Sequence, residues 1–471
     1  MGKRPERAPD IDDPQRQAAP LEIPLEKVIS PLQGFVYSQA TTGVFLLLAV
    51  ILALSLANSR YLDFYQSINH LPLTIGLGDW HIEMSLKHWV NEGLMVLFFF
   101  VLGLEIKGEI LAGELRDPHY SGLVIVMALG GMLVPALFYV SVLQVTGATE
   151  AVRGWGIPMA TDTAFALGVL ALLGSRAPAV ATVIMSALAI VDDIGAVLVI
   201  SLVYTAEVDL TALFSAAAVM LLLIMFNLAG LRRPIFYFGG GVALWWFILQ
   251  SGVHATTAGI LAALAVPARP YVKTGWFMRQ MSRVLRRFSA LDHPGRTILE
   301  QQRQYELVET AEEIARKTAT PLQRWESFLD KPVSLAVVPL FAFLNAGVPL
   351  PQTGAELLPS PLIMAIAAGL VAGKSVGISL FALAGLRLGV CRLPEGLRYP
   401  HIVGIGLLAG IGFTMSLFVA ALAFDDYPAL MAQAKLGILG SSLIAGVLGV
   451  SFMLLTHRRT PKRANAAERE R

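Results

Sequence analysis

The sequence predicts an all-α polytopic membrane protein of about twelve transmembrane helices, built as inverted repeats whose spans four and eleven are interrupted near the midplane. Three observations carry that prediction. Of 471 residues, 55% are hydrophobic and only 15% charged, more apolar surface than one soluble core absorbs. Apolar windows of roughly the 17 to 25 residues that cross a bilayer recur along the chain. Two of those windows carry helix-breaking sequence near their middles, the sequence pointer to a transporter with a midplane site.

Residues 1–35 are charged and contain proline, with no apolar stretch able to serve as a signal-peptide core, so they read as a retained soluble tail. Apolar spans follow at Thr42 to Ala57, His88 to Gly103, Ser121 to Val145, Trp155 to Leu173, Ala181 to Tyr204 and Leu210 to Leu228. They continue at Ile235 to Leu249, Val253 to Val266, Val333 to Ala346, Leu362 to Leu386, Ile402 to Phe424 and Leu436 to Leu455. Spans one to eight thus occupy residues 36–266 and spans nine to twelve residues 333–456, separated by a charged insert at 267–332 and followed by a basic tail at 457–471.

Lys and Arg placement tests this order, because cytoplasmic loops concentrate them. They cluster before span one and after spans two, four, six, ten and twelve, whereas the opposite loops hold only Arg60, Lys87, Arg153 and Lys435. Both termini are therefore expected in the cytoplasm. The formal charge of +2 carries no such information by itself. The single cysteine, Cys391, excludes an intrachain disulfide framework.

Between spans one and two, Leu73 to Ile82 alternates around glycines, which suits a small β-hairpin near residues 72–83 on the outer face. Its edge invites pairing with a second subunit. In the insert, Phe277, Met281, Leu285 and Phe288 recur at helical spacing among Arg279, Arg283, Arg286 and Arg287, a basic amphipathic helix suited to the anionic inner leaflet. A second helix, Ile298 to Lys317, mixes charges and reads as solvated.

The chemistry centres on Asp192 and Asp193, adjacent acids inside the apolar run Ala181 to Tyr204. A charge at that depth costs at least about 2.5 to 3.5 kcal/mol on insertion scales, so a function is the default explanation. Neighbouring residues on a helix point about 100° apart, so one acid is free to face a cavity while the other meets a fixed countercharge. Two carboxylates this close repel, and a proton or a cation relieves the same repulsion. Their competition is the minimum machinery of cation/proton exchange.

A third buried acid, Asp162, lies in Pro158-Met159-Ala160-Thr161-Asp162-Thr163, poor helix-forming sequence for mid-span. Span eleven weakens at Gly410-Ile411-Gly412-Phe413-Thr414. Each break exposes amides at one half-helix end and carbonyls at the other. Asp162 suits the positive ends. Lys374, the only Lys or Arg deep within any span, suits Asp192, Asp162 or the carbonyl ends.

These motifs, with Leu102-Gly103-Leu104-Glu105, Ser251-Gly252-Val253-His254-Ala255-Thr256 and Gly373-Lys374, closely resemble the NhaA-type bacterial sodium/proton antiporters, in the same order and over about residues 36 to 455. The resemblance implies electrogenic, pH-regulated exchange of Na+ or Li+ for H+ across a bacterial inner membrane, serving sodium and pH homeostasis. It implies Asp193 as principal ion ligand and proton carrier, Asp192 as the partner of Lys374, and Asp162 and Thr161 at the helix crossing as further Na+ ligands. Glu105, Glu109, His254 and Glu326 fall on positions associated with pH response at the cytoplasmic side. Gly108 departs from the pattern where an Arg stands, and Ser327 and Asp330 replace histidines, which puts the pH set-point in question.

Sodium is a hard cation, so carboxylate, hydroxyl and backbone oxygens suit it, and no cofactor is expected. The expected partners are Na+, Li+, H+, membrane lipid and a second copy through the hairpin; nucleic acid is not among them. An intramembrane aspartyl protease also uses two buried acids but needs them facing across a water, which adjacent residues cannot do. A channel sits poorly with a lysine buried beside the acids.

Overall fold

The computed structural model describes residues 39–77, 80–113, 116, 118–205, 208–270, 272–291, 302–350 and 360–458. The expected N-terminal tail, residues 459–471 of the expected C-terminal tail, the turn of the hairpin and the start of the second insert helix lie outside the described residues. Helix α1 (Gln39–Ala57) turns by 119° into the short α2 (Leu62–Asn69). Strands β1 (Pro72–Leu77) and β2 (Trp80–Ser85) then pair antiparallel, from Pro72 against Ser85 to Leu77 against Trp80, so the glycine-spaced alternation does form a hairpin. Ser85 accepts the His88 amide at 3.2 Å and starts the next helix, α3 (Leu86–Trp89), which passes through a π-helical turn at Val90–Leu94 into α4 (Met95–Ala112).

The next helices are α5 (Pro118–Thr146), a 3-10 segment Thr149–Met159, α6 (Thr163–Leu173), α7 (Ala179–Val203), α8 (Leu210–Leu228), α9 (Pro234–Gln250) and α10 (Thr256–Ala265). The insert supplies α11 (Thr274–Ala290), α12 (Gln302–Thr318) and α13 (Pro321–Pro332). A π-helical turn at Val333–Val337 carries α13 directly into α14 (Val338–Ala346), so the expected boundary at 332/333 falls inside one continuous rod. Then come α15 (Pro361–Ala367), a third π-helical turn at Ala368–Gly373, α16 (Lys374–Arg387), α17 (Tyr399–Ala409), α18 (Phe413–Ala423) and α19 (Pro428–Arg458).

Six of the described helices are long and apolar enough to cross a membrane, or up to nine when each bent pair counts as one span. α9 and α10 are apolar but shorter. Spans four and eleven are broken: the Thr149–Met159 segment meets α6 at 49° and α17 meets α18 at 46°. The first half of span four is 3-10 rather than α-helical, in keeping with Gly154, Gly156 and Pro158.

One buried core of Leu, Ile, Val, Phe and Ala joins α1, α4 to α7 and α14 to α19. Two smaller clusters tie α8, α9 and α10 to α4. Where α5 crosses α16, Gly130 and Gly377 lie face to face, and a Cβ on either would overlap the other's carbonyl oxygen. In the insert, Val284 of α11 and Ile314 of α12 are buried, and Gln304 Nε2 donates to Phe288 O at 3.4 Å. Of the apolar stripe of α11, Phe277, Met281 and Phe288 are half-buried and Leu285 stays exposed.

Candidate functional site

The two breaks meet. The Asp162 amide donates to Ile411 O at 2.7 Å, stitching one interruption to the other. The Asp162 carboxylate then serves both downstream half-helices: Oδ1 accepts the Phe165 amide at 2.9 Å, while Oδ2 accepts the Thr414 amide at 3.0 Å and its hydroxyl at 2.6 Å. One side chain therefore supplies acceptors to the positive ends of α6 and α18, as an N-cap does, and its negative charge suits both dipoles. Thr161 Oγ1 lies 3.1 Å from Ala409 O, at the carbonyl end of α17.

α7 delivers the acid pair against this crossing, and its two members have different surroundings. Asp192 Oδ2 accepts from Thr161 Oγ1 at 2.8 Å and from Lys374 Nζ, in an ion pair with both side chains wholly buried. Of the three mates open to Lys374, the structure gives it Asp192. Asp193 instead borders a cavity of about 230 Å³ whose polar lining includes Asp162, Thr163, Thr414, Glu105 and Asp330. Thr163 Oγ1 is 3.4 Å from Asp193 Oδ2, and Asp193 Oδ1 is buried with no hydrogen-bond partner among the described residues. Five expected residues, Asp162, Thr161, Asp192, Asp193 and Lys374, are thus brought together. Thr161 differs from expectation in orientation: its hydroxyl serves Asp192 and Ala409, and it is not among the residues lining the cavity.

Glu105 lies farther along the same cavity, within electrostatic reach of Glu326, Asp330 and Glu109. Gly108 faces the side chain of Leu322. His254 does not belong to this group. Its Nδ1 is 3.8 Å from Glu92 Oε1 and its Nε2 is 3.1 Å from Tyr204 O. Glu92 and Glu105 are 13 residues apart on one helical rod, about 20 Å at 1.5 Å per residue. The expectation that His254 joins the cytoplasmic acids is therefore corrected: it lines a separate cavity of about 630 Å³ with Glu92, Lys87, Asp425 and Lys435.

Sequence reasoning missed Thr163, Thr414 and Glu92 as site residues. The available signal was positional, since a hydroxyl in the first turn after a break points where an orphan amide or acid needs it. Lys107 was also missed: its Nζ donates to Leu264 O at 2.6 Å and Val266 O at 2.5 Å, satisfying carbonyls at the end of α10.

Fold and site together define a multi-pass helical membrane protein with an ion-paired acid dyad at the crossing of two broken helices. A family model described as Na+/H+ antiporter 1 matches residues 33–453. The chain is 54% identical over 449 residues to the Na(+)/H(+) antiporter NhaA 1 of Pseudoalteromonas atlantica, covering 95% of each chain. It is 45% identical to the NhaA 1 antiporter of Saccharophagus degradans, over 92% of this chain and 93% of that relative. With the NhaA 1 antiporter of Shewanella denitrificans it shares 42% identity over 92% of this chain and 96% of the relative. The chain belongs to the Na+/H+ antiporter 1 family.

Proposed function

We propose that the chain exchanges Na+ or Li+ for H+ across a bacterial inner membrane, by alternating access around Asp193, through twelve spans with both termini in the cytoplasm. The observation that supports this best is the asymmetry of the dyad: Lys374 neutralises Asp192 while Asp193 faces a cavity. A cation and a proton compete for Asp193. If Asp192 or Lys374 releases a second proton per sodium bound, exchange moves net charge, and the inward-negative potential contributes about 2.3 kcal/mol per charge per 100 mV to sodium extrusion. No cofactor enters the cycle. The protease alternative loses its geometry, because both Asp162 oxygens are engaged with amides and a hydroxyl.

In proteoliposomes holding an acid-inside gradient, added sodium or lithium should draw protons out and relieve quenching of a pH dye, with potassium giving no response. Asp193→Asn should abolish the signal. Equal responses to sodium and potassium, or full activity in the asparagine variant, would overturn the proposal.

A further inference from the structure

The cavity beside Asp193 holds a hydroxyl that the sequence did not single out. We propose that Thr163 Oγ1 is a ligand of the transported alkali cation and helps set the choice between sodium and lithium. This rests on the antiport reading above and deepens it.

Two threonines flank Asp162, and the fold directs them apart. Thr161 is wholly buried, with its hydroxyl held between Asp192 Oδ2 and Ala409 O. Thr163 is only partly buried, lines the cavity and stands 3.4 Å from Asp193 Oδ2. That separation is at the outer limit of a hydrogen bond, so the contact is weak and easily exchanged. A threonine hydroxyl has one proton and two lone pairs. It donates to Asp193 when the site is empty of metal, and by rotating about Cβ–Oγ it presents a lone pair to a cation on the same carboxylate.

The oxygens that Asp162 and Thr414 bring to the cavity are less free to move. Both Asp162 oxygens already cap α6 and α18, and the Thr414 hydroxyl donates its proton to Asp162 at 2.6 Å. Thr163 opens α6, where an amide has no intrahelical acceptor in any case, so replacing its hydroxyl leaves the helix cap on Asp162 intact.

Sodium takes more oxygen ligands than lithium, so losing one neutral oxygen should penalise sodium more. In the proteoliposome assay, Thr163→Val, which keeps the shape, should raise the KM for sodium about tenfold, the loss of one ligand's worth of affinity. The KM for lithium should rise by a clearly smaller factor. Thr163→Ser should restore the wild-type sodium-to-lithium KM ratio. Thr163→Ala, assayed alongside, should shift the ratio in the same direction as valine, and a melting curve in detergent shows that each variant is folded.

An unchanged ratio in both valine and alanine variants, an equal rise for both ions, or failure of serine to restore the ratio would overturn the assignment of Thr163. If the wild-type protein shows no response to either ion, the antiport reading itself fails, which is a distinguishable outcome.

Discussion

Asp192 and Asp193 are the same residue type at adjacent positions, and everything that separates them comes from their neighbours. Lys374 reaches Asp192 from α16, whereas Asp193 meets only a threonine hydroxyl and a cavity. Removing one member of a buried ion pair strands the other charge, at a cost of about 3 to 5 kcal/mol. Lys374→Met should therefore lower the melting temperature in detergent, and Lys374→Met with Asp192→Asn should recover most of the loss. Equal melting of the single and double variants would show that the pair does not act as a unit. The dyad, Asp162 and Lys374 were legible in the sequence because charge inside an apolar span has few explanations. Thr163 was not, since nothing in Thr-Asp-Thr says which hydroxyl the break turns toward the cavity. His254 was misplaced for a related reason: the order of motifs along a chain does not say which end of a neighbouring helix each one meets.

At the level of elements, the broken spans were readable from Pro, Gly and Thr in mid-span, and the structure bends both by similar angles, 49° and 46°. The three π-helical turns were not readable, because one residue's worth of excess in a uniformly apolar run leaves no periodic trace. Nor was the packing of α11, whose half-buried apolar stripe suits a membrane surface and a neighbouring helix equally well. Close crossings rest on glycine. At Gly377 a methyl group would collide with the Gly130 carbonyl of α5, and backbone cannot swing aside as a side chain does. Gly377→Ala should force α5 and α16 apart and cost about 1 to 3 kcal/mol, the range for overpacking. A melting temperature within error of wild type would show that the crossing relaxes freely. Gly43, with nothing near its Cβ position, is the control: Gly43→Ala should leave melting unchanged or slightly raise it.

Over the whole molecule, two cavities reach opposite ends of α18 and share no lining residue among the described residues. The one holding Asp193 is lined by Thr414 and Met415 at the start of α18, and the one holding Glu92 and His254 by Ala421 and Leu422 near its end. Between them Phe418 packs against Phe99 and Phe341 at ring separations of 5.3 and 6.0 Å, all three fully buried. The Asp193 cavity extends to Asp330 and Ser334, on the rod that continues from the insert. Membrane sidedness then follows from charge placement: the insert and the Arg-rich loops should be cytoplasmic and the hairpin external. A cysteine at Ser334, made in a Cys391→Ser background, should react with a membrane-impermeant maleimide in inside-out vesicles and stay silent in right-side-out ones. A cysteine at Gln66, which lines the other cavity, should do the reverse. The native Cys391 adds little background even where retained, because it is buried and burial raises its thiol above the usual range, so thiolate becomes scarce as pH falls toward neutral. Labelling of Ser334→Cys from both faces would mean that the phenylalanine layer does not seal, and labelling only from the outside would invert the topology and the direction of exchange argued from it.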